Sequence, residues 1–219
     1  MKLKHHNPSK CLLFCLLLAC GSIFSQSIEK LYINMPDILN PTLSRQNRLE
    51  LIEYHKAHQS DSSVNRFGNK AYLALSDSLN QHLIVKNTST STFEMKLNHL
   101  ADSTMYIGII RTTCAQVCMS TLEFYDTAWN VIPLHFAMPK AIEWVDTAKL
   151  NTSEIDNNWL NKLVEMCFIS ASFDKQNNII CVENNTLDFL SQDDRKLLKS
   201  LFSEKHLTYK LKDKCWVRE

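Results

Sequence analysis

The sequence predicts an α+β fold: a mostly antiparallel sheet, built as a meander plus hairpins and packed by about four helices. Three observations carry this. Apolar residues recur at helical spacing in 27–35, 44–58, 152–166 and 191–202. Between about 64 and 132 the chain switches to short runs rich in aliphatic, aromatic and Thr residues. Strands therefore come in blocks and do not alternate singly with helices, which is the α+β order.

Each element has its own warrant. Ile28, Leu31, Tyr32 and Met35 fall at i, i+3, i+4 and i+7 and form one stripe, which Pro36 stops. The helix at 44–58 opens on Ser44, a good N-cap. "KAYLAL", "HLIVKN", "FEMKLNHL", "MYIGIIRT" and "TLEFYD" read as a five-strand meander. In "FEMKLNHL", Phe93, Met95 and Leu97 alternate with Glu94, Lys96 and Asn98, the pattern of a half-buried strand. "MYIGIIRT" is apolar more continuously and is expected at the centre, with "ADST" (101–104) as the turn before it. Residues 133–147 contain two prolines and no clear period, so they read as a connection. Ser153, with an acid three residues on, opens the third helix, with Trp159, Leu160 and Leu163 on one face. "CFISASF" and "NIICVEN" flank "DKQNN" as a hairpin. Leu197, Leu198, Leu201 and Phe202 stripe the fourth helix, and "HLTYKL" with "CWVRE" forms a last hairpin. The expectation is one α+β domain over 26–219. The recurring helix-then-strands order leaves open two fused units, 26–132 and 152–219.

Residues 1–25 read as a secretory signal. Lys2, Lys4 and Lys10 precede the apolar run "CLLFCLLLAC" (11–20), and small or polar residues follow. Ten apolar residues are too few to span a bilayer, and no other segment comes near the length required. Cleavage after Ser25 would leave Gln26 first. Alternatively "LLAC" (17–20) is a lipobox, with Cys20 lipidated. The expected location is the periplasm or cell surface, soluble or lipid-anchored. Without 1–25 the chain has 21 Lys plus Arg against 23 Asp plus Glu, a net charge of −2. That near-neutral balance argues against nucleic acid, which needs a concentrated basic face. Five cysteines remain, Cys114, Cys118, Cys167, Cys181 and Cys215, in a compartment that permits disulfides. The odd count leaves at least one outside an intrachain pair.

Whole classes of site are missing. Beyond the leader only Gly68 and Gly108 exist, so neither a P-loop nor a dinucleotide fingerprint can be built. G-x-S-x-G, H-E-x-x-H and EF-hand spacings are absent too. No cofactor is implied. With so little glycine, turns fall to Asn, as in 174–178, 184–185 and 127–130.

"MPDILNPTLSRQNRLELIEYHK" (35–56), "STFEMKLNHLADSTMYIGIIRT" (91–112) and "FYDTAWN" (124–130) resemble the pattern of an uncharacterised secreted Bacteroidetes family, domain of unknown function 3256. The resemblance covers most of the chain beyond the leader and implies a signal peptide and an α+β fold. It implies no catalytic residues. For a source of that kind it also implies short Asp-Ser/Thr-apolar O-glycosylation sites at 77–79, 126–128 and 146–148.

Candidate chemistry starts with "TTCAQVCMS" (112–120). Cys114 and Cys118 are the candidate disulfide, and they are also the weak candidates for metal. C-x-x-x-C after an apolar strand is similar to the copper motif of thioredoxin-fold assembly proteins, and soft thiolates suit Cu(I). Here, however, Ala115 and Met119 stand where that motif carries prolines, and "STLEFYD" downstream reads as a strand. No third ligand can be picked out. His55 and His58 share a helical face and could face one ion, though a zinc site needs further ligands. Trp129 and Trp144 fall in loops and could mark a binding face. Lys210, Lys212 and Lys214 alternate along the last strand and so share a face, and Asp193–Asp194 suits the first turn of a helix. The functional expectation is an exported, non-catalytic binding module for an envelope protein, glycan or peptide. The alternative is a thiol- or copper-linked envelope protein using Cys114 and Cys118.

Overall fold

The computed structural model describes residues 27–150, 168–175, 178–202 and 206–219, together with Asn158, Leu160 and Glu165. The leader with Cys20, the Ser153 cap, Trp159, Leu163 and Cys167 lie outside the described residues.

Ser27 caps α1 (Ile28–Asn34) by accepting from the Lys30 N–H. Ser44 caps α2 (Arg45–Lys56) in a reciprocal box with Asn47, so the expected N-cap is the observed one. Six strands follow: β1 (Ser62–Val64), β2 (Lys70–Asp77), β3 (His82–Lys86), β4 (Ser91–His99), β5 (Met105–Cys114) and β6 (Cys118–Tyr125). They form one antiparallel sheet in chain order. Five of these are the strands of the expected meander; β1 adds a sixth, and at three residues it is too short to show a period. The connecting region carries a 3-10 turn (Ala141–Trp144) and α3 (Thr147–Leu150). Then come β7 (Ile169–Phe173), β8 (Ile179–Asn184), α4 (Thr186–Phe189), α5 (Gln192–Lys199), β9 (His206–Lys212) and β10 (Cys215–Arg218). The two expected hairpins are not separate. They join through β8 and β9 into a four-stranded antiparallel sheet ordered β10-β9-β8-β7.

The two faces of the larger sheet bury different partners. Phe93, Met95, Leu97, Ile107 and Ile109 pack under α1 and α2. Tyr106, Ile110 and Phe124 pack against Ile169, Ala171 and Phe173 of the second sheet. β5 is buried on both faces, as its continuous apolar run implies, though in the sheet order it lies next to the edge strand β6 and not at the centre. At Gly108 the approach is closest: an added Cβ would lie 2.4 Å from Phe173 Cζ. The 133–147 segment is core as well as connection, because Leu134, Phe136 and Trp144 are buried in the same cluster.

Arg48 is fully buried on α2. Its guanidinium donates to the carbonyls of Leu43, Ile33 and Met35 and pairs with Asp37 at 3.1 Å. It thereby takes up carbonyls at the end of α1 and in the loop beyond it, groups that a helix terminus leaves unpaired.

Candidate functional site

The second face of the six-stranded sheet divides into a covered half and an open half. On the covered half, Glu94, Lys96 and Asn98 are all buried. This corrects the half-buried reading of β4: its polar face is roofed by the second sheet. The reason lies in β7, an edge strand whose outward N–H groups need partners. Ser120 Oγ accepts from the Ala171 N–H at 3.0 Å, and Glu94 Oε1 accepts from the Phe173 N–H at 2.9 Å. Lys96 Nζ donates to the Asp174 carbonyl. His82 Nε2 lies 2.7 Å from the same Glu94 oxygen. Side chains of one sheet therefore finish the backbone hydrogen bonding of the other. Burial lowers Lys96 below the usual lysine range, against the attraction of Asp174 and Glu94.

The open half is β1, β2 and the Lys86 end of β3; His82, at the other end of β3, belongs to the covered half. Tyr72 pairs across the sheet with Lys86, and Lys70 precedes it by two residues, so all three share the outward face. Tyr72 is 47% exposed and both lysines are exposed. They line a hollow of about 730 Å³ with Asn69, Ala74, Thr88 and Ser89. Ala74 sits at a break in the β2–β3 register, a bulge of the kind that re-aims side chains beside sites. Neither lysine makes an ion pair among the described residues, whereas Lys56, Lys210 and Lys214 each reach an acid.

The rims of this shelf are held from beneath. Asn40 and Asn87 exchange side-chain hydrogen bonds at 3.1 and 3.2 Å. Asn65 Nδ2 donates to the Asn87 carbonyl, and Asn65 Oδ1 accepts from the Phe67 and Asn69 N–H groups. One buried amide network thus fixes both the turn bearing Asn69 and the turn bearing Thr88 and Ser89. The abundance of Asn was the only signal for it in the sequence.

The other candidates fall elsewhere. Cys114 and Cys118 are register partners at the β5–β6 hairpin, joined as a disulfide with sulfurs 2.02 Å apart. They lie between two strands, whereas the copper motif sits between a strand and a helix. No group of three or more His, Cys, Asp or Glu side chains is disposed to hold an ion among the described residues. Cys181 and Cys215 are free, and burial pushes the Cys181 thiol up, with Asp174 and Glu94 adding to it. His55 lies 2.5 Å from Asp61, and His58 falls beyond the end of α2 at φ 54°, so the shared helical face is not formed. Trp144 is wholly buried and Trp129 packs on Tyr125, so neither marks an open face. Trp216 stacks on Phe124. Lys214 leaves the strand for the turn and pairs with Asp102. Asp193 and Asp194 occupy the first turn of α5 as expected.

The three Asp-Ser/Thr tripeptides share one local geometry. Asp77, Asp126 and Asp146 each accept through Oδ1 from two main-chain N–H groups just downstream. The side-chain amide of Asn80 holds the Asp77 carboxyl below its usual range, and that of Asn130 does the same for Asp126.

Among the described residues no helix is long and apolar enough to cross a membrane. The family model described as Protein of unknown function (DUF3256) matches residues 20–216. Comparison with curated proteins finds no match. Among solved structures, the chain is similar to a domain of an uncharacterized protein from Porphyromonas gingivalis W83. The TM-score is 0.73 at 15% identity, covering 88% of this chain and 97% of that one. At that identity the likeness is one of fold.

Proposed function

From the premise that the chain belongs to the family described as Protein of unknown function (DUF3256), we propose that it is an exported, non-catalytic binding module of the cell envelope. One observation carries the binding reading: Tyr72 stands half exposed between two lysines that make no ion pair among the described residues, on a sheet whose β4 polar face is buried under the second sheet. Exposed aromatic and charged groups that the fold leaves unused are the ordinary material of recognition. The buried Asn40–Asn87–Asn65 network supports it further, because a preorganised rim lowers the ordering cost of binding.

Export is supported by the leader reading of 1–25. Mass measurement of the protein from its native envelope tests it. An N-terminus at Gln26, or a lipidated Cys20, is the expected result, and a retained 1–25 segment overturns it. The binding reading is tested by probing arrays of glycans and peptides with the wild type and with Tyr72→Ala/Lys86→Glu. A bound set lost with the shelf variant is expected. A bound set indifferent to it would remove the shelf from the reading.

A further inference from the structure

The two lysines decide what the shelf can hold. Across the strands the face presents Ser62, Tyr72, Lys86 and Thr92 in one row, with Lys70 two residues along from Tyr72. Neighbouring strands lie about 5 Å apart and alternate residues about 7 Å apart, so positive charge flanks the ring in two directions. The lining contains no carboxylate. A ligand must bring its own.

The strand order narrows the class. Around Tyr72 the strands are interior: β1 pairs with β2 over Lys70–Tyr72, and β4 pairs along β3. An extended peptide adds to a sheet through a free edge, and the edge strand beside the shelf, β1, is only three residues long. Recognition must run through side chains: an aromatic face, two ammonium groups, and the amide and hydroxyls of Asn69, Thr88 and Ser89. A nucleic acid would need a larger basic surface than two lysines. What fits is a ring with an apolar C–H face, hydroxyls at its edge, and an acid group beside it. Lysine is a compact charge on a flexible stem, so it can meet a carboxylate without demanding one fixed orientation.

Resting on the shelf reading above, we propose that the ligand is a carboxylated polysaccharide. One sugar ring lies on Tyr72 and its acid groups pair with Lys70 and Lys86. The test uses the purified protein and three carboxylated probes: oligogalacturonate, alginate oligomers and hyaluronate. Fully methyl-esterified oligogalacturonate, heparin and polyglutamate serve as comparisons. At least one carboxylated sugar should bind, and its affinity should fall as salt is raised from about 20 to about 300 mM. For oligogalacturonate the esterified form should bind at least about tenfold more weakly, and Tyr72→Ala should weaken binding about tenfold. Lys70→Gln/Lys86→Gln should erase the acid-over-ester preference while leaving the circular-dichroism spectrum unchanged.

The two readings fail differently. If the esterified sugar binds as well as the acid and Tyr72→Ala still weakens both, the carboxylate class falls and the shelf stands. The same holds if heparin is strongly preferred, which moves the ligand to sulfated chains. If polyglutamate equals the sugars, the ring is not being read and the saccharide class falls. If none of the carboxylated sugars binds, the proposal fails. If a sugar binds and neither variant alters it, the shelf itself is wrong.

Discussion

The covered and open halves of one sheet face use the same residue types to opposite ends. On β4 a lysine and a glutamate are buried, and each is consumed by backbone at the end of β7, Phe173 for Glu94 and the next residue, Asp174, for Lys96. On β2 and β3 the lysines are exposed, and among the described residues no such partner takes them up. The difference lies in what comes later in the chain: β7 packs across β4–β6. A polar residue on a strand is therefore structural or available according to whether a second layer arrives above it. A buried charge left without its partner costs far more than an exposed one.

The largest effect should come from breaking the covered half at Glu94. Glu94→Ala removes the acceptor of the Phe173 N–H and strands His82, and should cost about 3–5 kcal/mol in urea unfolding. Glu94→Gln keeps an amide oxygen for Phe173 and should cost distinctly less. A loss below about 1 kcal/mol for the alanine variant would mean that the strand edge is satisfied some other way.

Gly108 comes next. A methyl group there meets the Phe173 ring at 2.4 Å, so Gly108→Ala should lose about 1–3 kcal/mol through overpacking. Pairing it with Phe173→Leu should recover part of the loss. Additive losses would show that the two positions do not share the contact.

Much of this architecture was legible, and particular residues show why the rest was not. Local rules sufficed for Ser44, for the Pro36 stop and for the two-faced burial of β5, because each is written in neighbours within a few positions. β4 was misread on one face. Alternation reports that two faces differ, and it is silent on whether a distant sheet will cover the polar one. Arg48 shows the same limit: it is a helix residue in a polar context, buried only because the end of α1 brings its carbonyls there. The shelf was missed because Lys70, Tyr72 and Lys86 are unremarkable in sequence. Register alone puts them side by side, and register depends on the turn at 78–81 and the bulge at Ala74. Cys114 and Cys118 stood out in sequence because chemistry marks cysteine, yet in the fold they close a hairpin.

Lys96 gives a smaller, pH-resolved comparison. Burial depresses its folded-state pKa below the ordinary 10.5, while the unfolded chain titrates near that value. Below the folded pKa both states hold the proton and the folded state carries the full penalty of a buried charge. As pH rises from there toward 10.5, the folded state releases its proton first, so stability should rise. The stability difference between wild type and Lys96→Met, from urea unfolding at pH 7 and pH 9.5, should therefore shift in favour of wild type. A difference that stays flat would mean that Lys96 is not desolvated in the folded protein.

The smallest effect belongs to the open half, and it sharpens the comparison most. Lys70→Gln, Lys86→Gln and Tyr72→Ala remove exposed groups that no described partner depends on. Each should change unfolding free energy by about 0.5 kcal/mol or less. If stability holds while ligand binding falls, the open half is free of structural duty. A loss comparable to that of Gly108→Ala would place these side chains in the fold's own packing and make the two halves alike. Asn87 marks the boundary between the halves. It is buried like Glu94, yet it supports the rim that carries Thr88 and Ser89. Its replacement by Ala should therefore lower stability and weaken binding together, a joint loss that no residue lining the shelf should show.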